Sequence, residues 1–98
     1  MEEMLRPLFA TFVEDAPARF AALERAVASG DAKGIEIAAH AFKSGAGTIH
    51  ATVLAAALAT AEIAARGGHL EAIKGSFAEI RSEHLAVLLE LEALLAAK

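Results

Sequence analysis

No cysteine occurs anywhere in the chain, which excludes disulfides, thiolate metal centres and cysteine nucleophiles. Tryptophan and tyrosine are absent, proline occurs only at positions 7 and 17, and β-branched residues are sparse beside abundant alanine, leucine and glutamate. Such a chain has little material for strands and much for helices packed through small side chains. No uninterrupted apolar run approaches the roughly 18–20 residues that cross a bilayer. The longest candidate, Ala51 to Ala61, contains threonines and ends at Glu62. The opening MEEMLRPLF is acidic and lacks the basic and apolar regions of a signal peptide, so a cytoplasmic location without a membrane partner is expected. Basic residues are outnumbered, and the net charge of −4 argues against a nucleic-acid backbone as partner.

What the chain does have is helical periodicity cut by turn signals, within a length, 1–98, that fits a single domain. Leu5, Leu8, Phe9, Phe12 and Val13 recur at helical spacing from about Met4 to Val13. The run EDAPARFAALERAVASGD reads as a second helix, with Asp15 as its cap, Pro17 in its first turn and Ser29-Gly30 at its end. Alternatively, Pro17 kinks one continuous helix. Asp31 is placed to cap a third helix and Thr52 a fourth, which carries Leu54, Leu58, Ala61 and Ile63 and stops at Gly67-Gly68. The last helix runs from Leu70 to about Ala96, with Ile73, Phe77, Ile80, Leu88, Leu91 and Leu95 as apolar positions and Gly75 as a weak point. Short connections imply antiparallel neighbours. The expectation is an all-α protein, an antiparallel up-and-down four-helix bundle with an additional short N-terminal helix.

The third helix contains the stretch AAHAFKSGAGTIHA, residues 38–51. At about 100° per residue, Ile35, Ala38, Ala39, Phe42, Ala46 and Ile49 share one sector, which is the core stripe. Glu36, His40, Lys43, Ser44 and Gly47 fall on the opposite side. His40 therefore projects outward with Lys43 one turn on. An imidazole with a pKa near 6.5 is mostly neutral at pH 7, so a nucleophilic nitrogen is available, and a lysine one turn away offsets anionic charge arriving there. Ser44 and Gly47 add little bulk and leave room for another protein's surface. Close packing against a neighbouring helix is the other reason for Gly45 and Gly47.

That stretch resembles the signature of histidine-containing phosphotransfer (HPt) domains. His40, Phe42, Lys43, Ser44, Gly45, Ile49 and Ala51 fill its positions, and the likeness extends to FVEDAPARFAALERAVASGD and the final helical hairpin. Two positions depart from the family pattern. Ser44 replaces a usual glycine, and its hydroxyl is available to a phosphoryl oxygen. His50 also stands where glycine is usual, which is uncomfortable if that position needs positive φ. The resemblance implies that His40 accepts a phosphoryl group, on Nε2, from an aspartyl phosphate of a receiver domain and passes it to a second receiver. Lys43 then stabilises the phosphoryl charge, and Glu36, Ser44 and Gly47 form part of the partner-binding face. Partners are response-regulator receiver domains and a hybrid sensor histidine kinase, with the chain acting as a monomer. No cofactor is expected on the chain, Mg²⁺ coming with the receiver. GAG at 45–47 lacks the P-loop pattern, so the protein is expected to be a carrier without an ATP site, not an enzyme.

Three other readings remain beside this one. The same stretch resembles the phosphorylated domain of chemotaxis histidine kinases. A non-phosphorylated interaction bundle would retain the fold alone. Glu36 and His40 at i, i+4 could ligate a metal with His50 as the nearest further ligand. His69 and His84 are assigned ordinary surface or boundary positions, and AEIRSEH at 78–84 a solvated charged strip.

Overall fold

The structure is a computed structural model that describes residues 2–97. Four helices follow one another: α1 (Glu2–Ser29), α2 (Ala32–Thr48), α3 (Thr52–Arg66) and α4 (Leu70–Ala96). Connections this short turn each helix back along its predecessor. Each helix packs against its neighbours in sequence, and α4 closes the ring against α1. Arg6 joins the two ends of the chain, donating to the backbone carbonyls of Leu94, Leu95 and Ala97 at the end of α4. The last carbonyls of a helix have no i+4 donor within it, and a guanidinium there also opposes the negative end of the helix dipole.

The expected additional N-terminal helix is not a separate element, because α1 is continuous through Pro7 and Pro17. Phe12, Ala16 and Leu23 are buried and Phe9, Val13, Phe20 and Val27 pack around them, so the apolar stripe keeps its three- and four-residue spacing across Pro17. Asp15 is exposed and caps nothing. Burial of that continuous stripe outweighs the one hydrogen bond that proline removes.

The connections are built as their residues dictate. Asp31 caps α2 by accepting from the Gly34 N–H at 3.0 Å, and Gly30 takes φ +68° in the turn before it. Thr52 does not cap α3. Ala51 occupies that position without a side-chain bond, while His50 takes φ +61°, the left-handed conformation that glycine adopts freely.

The core draws on all four helices, with Leu23, Ile35, Phe42, Leu54, Leu58, Ile73 and Ile80 fully buried. Ala16, Ala39, Ala46, Ala57, Ala61 and Ala65 are buried with them, and such small side chains let helix axes approach closely. Two assignments change. Ile63, expected in the stripe of α3, is 65% exposed, and its neighbour Glu62 is buried instead. His84, expected at the surface or boundary, lies in the core, stacked on Phe20 at 4.7 Å and edge-on to Phe42 at 5.5 Å. The AEIRSEH strip is thus only partly solvated. Arg81 pairs with Glu24 at 2.9 Å and covers the Phe20 and Phe77 rings, whereas Ile80 and His84 point inward.

Candidate functional site: the His40 face of α2 and α3

Ile35, Ala39, Phe42 and Ala46 anchor α2 in the core, and this fixes its opposite side as an outward face. His40 lies on that face with its side chain 63% exposed. Lys43, one turn on, is a third exposed. Ser44 and Gly47 continue the face, and a Cβ added at Gly47 would meet nothing within 4 Å. At Gly45 an added Cβ would touch Phe12 at 3.8 Å, an ordinary contact. Close helix packing therefore requires neither glycine. The Ser44 hydroxyl donates to the carbonyl of His40 at 3.1 Å, so its proton is turned back onto the helix.

The residue that organises the site comes from α3. Glu62 is buried, and its Oε2 lies 3.0 Å from His40 Nδ1. Its Oε1 lies 2.7 Å from Lys43 Nζ, a close charge contact with the ammonium off the angle of a hydrogen bond. Arg66, one turn further along α3, donates through Nη2 to Oε2 at 3.0 Å and through Nε to Glu36 Oε2 at 3.0 Å. Lys33 approaches the other oxygen of Glu36 at 3.4 Å. The five candidate residues thus divide. His40 and Lys43 meet at Glu62, Glu36 joins them through Arg66, and Ser44 and Gly47 lie beside them on open surface.

The electrostatics fix the state of the ring. Lys43, and after it His40, hold the Glu62 carboxyl below its ordinary range against the opposing effect of burial. An ionised carboxylate only accepts hydrogen bonds, so the proton of a neutral His40 ring sits on Nδ1, and Nε2 carries the lone pair. Glu36 is likewise lowered, chiefly by Arg66.

Hydrophobic patterning missed Glu62 and Arg66, though a signal was present. They are the two charged residues of α3, spaced i, i+4 in a helix otherwise rich in alanine. Elsewhere, His50 sits exposed at the α2–α3 turn and His69 precedes α4. A shallow cavity of about 290 Å³ opens between α1 and α2, lined by Phe12, Ala16, Arg19, Phe42, Ser44 and Gly45 among others.

The structure presents an outward imidazole held by a buried acid on a helical bundle, and comparison with known proteins gives the class. Residues 7–97 match the family model described as Hpt domain, and the chain belongs to that family. The crystal structure of histidine-containing phosphotransfer protein B (HptB) from Pseudomonas aeruginosa PAO1 is similar to it. Its TM-score is 0.89 at 29% sequence identity, over 97% of this chain and 83% of that one. No curated protein matches the chain. Membership gives the protein a histidine phosphotransfer role in phosphorelay signalling, as a phosphocarrier of a family that does not use ATP. Among the described residues no helix is long and apolar enough to cross a membrane.

Proposed function

We propose that His40 is the phosphoryl-accepting residue and that the chain is a phosphorelay intermediate. It takes the group from a receiver-domain aspartyl phosphate and passes it to the receiver domain of a response regulator. The observation that carries this reading is the 3.0 Å contact from His40 Nδ1 to the ionised Glu62, which leaves Nε2 as the nucleophile on an exposed ring.

The chemistry follows from that tautomer. The Nε2 lone pair forms the N–P bond as the P–O bond to the donor carboxylate breaks, and the leaving carboxylate oxygen keeps the electron pair. The Nδ1 proton stays in place. The phosphorylated ring is therefore cationic, and Glu62 opposes that charge from 3.0 Å. A second aspartate takes the phosphoryl group by the reverse displacement, with no net proton movement. Lys43, one turn from His40 on the same helix face, is the cation for the incoming phosphoryl oxygens. Ser44 and Gly47, with Glu36 at the edge, give a receiver domain low ground on which to land, and that receiver brings the Mg²⁺. The chain acts as one domain and as a monomer, with a hybrid sensor kinase as the source of the phosphoryl group.

His40→Gln is expected to fold normally and to take no radiolabel from a phosphorylated receiver domain. Undiminished labelling would move the site to the exposed His50 or His69.

A further inference from the structure

The geometry points to Arg66 as a positioning residue that holds Glu62 in place while Lys43 leaves it for the phosphoryl group. This rests on His40 being the phosphoryl acceptor.

In the resting structure Lys43 is not free. Its ammonium lies 2.7 Å from Glu62 Oε1, and it is the strongest influence on that carboxyl. To neutralise phosphoryl oxygens at Nε2, it must turn away from a carboxylate whose side chain is only 7% exposed. A buried carboxylate stripped of its cation is costly, and that cost falls directly on the lysine's availability. Arg66 changes the balance. Its Nη2 reaches the other oxygen, Oε2, at 3.0 Å, the same oxygen that His40 Nδ1 contacts. Its Nε is anchored at 3.0 Å on Glu36, the chief cause of its raised pKa, so the guanidinium is held by α2 and α3 together. Arginine suits this position because its planar fork serves two carboxylates at once and stays charged. With Arg66 and the Nδ1 proton both on Oε2, the release of Oε1 by Lys43 leaves Glu62 still paired. The exchange is local, with the ammonium moving from one anionic oxygen to another.

The test uses phosphoramidate, a small donor that brings a phosphoryl group and no protein surface, and reads the gain of one phosphoryl mass on the intact chain. Lys43→Ala is expected to slow phosphorylation by about tenfold. Arg66→Gln, at a largely exposed site, is expected to slow it several-fold with the lysine intact, and Arg66→Lys to recover part of that loss. The double variant is expected to be no slower than Lys43→Ala alone, because Arg66 acts by freeing that lysine. Arg66→Gln matching the unaltered protein would overturn the inference, as would two effects that simply multiply. His40→Gln is the parallel control. If it gains no mass while Arg66→Gln reacts at full rate, the positioning role fails and the acceptor assignment stands. If His40→Gln is phosphorylated at full rate, the acceptor assignment itself fails.

Discussion

A carboxylate set behind an imidazole acts on it twice. Glu62 accepts from Nδ1 and so selects the tautomer whose lone pair faces out on Nε2, and in the proposed transfer it opposes the positive charge of the phosphorylated ring. The two actions separate in Glu62→Gln, whose amide oxygen still accepts from Nδ1 but carries no charge. That variant is expected to slow phosphoryl transfer by about tenfold, or about 1.4 kcal/mol in barrier. His40 should keep the Nδ1-protonated tautomer, read from the nitrogen NMR shifts of its ring. An unchanged rate with the tautomer kept would assign Glu62 the first action alone. The outward placement of His40 and Lys43 was legible in the sequence, since the stripe from Ile35 to Ala46 leaves them no other side. Glu62 was not legible by the same means. Leu54, Leu58 and Ala61 set the face of α3, on which Glu62 follows Leu58 by four residues, about 40° away, while Ile63 is displaced by about 140°. Ranking by hydrophobicity put the isoleucine inward, whereas position on the helix put the acid there.

At the scale of elements, α1 is where local chemistry and long-range packing conflict. Pro17, with Asp15 just before it, has the composition of a helix start, and a proline inside a helix costs about 3 kcal/mol or more. The helix nonetheless runs from Glu2 to Ser29, because Phe12, Ala16 and Leu23 must meet one core. No local rule contains that requirement, which belongs to the other three helices. The cap at Asp31 was legible because it is made within four residues. The cost at Pro17 is recoverable. Pro17→Ala restores a donor to the Val13 carbonyl at an exposed position and is expected to raise stability by about 1–3 kcal/mol in urea denaturation. Were Pro17 the first residue of a separate helix, its missing N–H would be no loss and the substitution would be neutral or destabilising.

At the scale of the molecule, the described residues include two buried titratable groups, Glu62 and His84, whose effects on stability run in the same direction. Burial between Phe20 and Phe42 lowers the pKa of His84 from its ordinary 6.5, and its Nδ1 has no hydrogen-bond partner. Below that ordinary value the unfolded chain takes up a proton that the folded one refuses, until the pH reaches the lowered value. The stability held by a neutral His84 is therefore complete above about pH 6.5 and lost as the pH falls through the window beneath it. Glu62 does the same lower on the scale. Lys43 first and then His40 keep its carboxyl below 4.5, so its contribution is complete above that value and is lost as the pH falls toward the folded one. Acid should weaken the bundle in two stages, the first from the aromatic centre and the second from the face of α2 and α3. Urea midpoints taken from about pH 7.5 downward are expected to fall first beneath about 6.5. In His84→Phe, which keeps a flat ring between Phe20 and Phe42, that first decline should vanish while the lower one remains. A decline of equal size in His84→Phe would remove the buried ring as its cause.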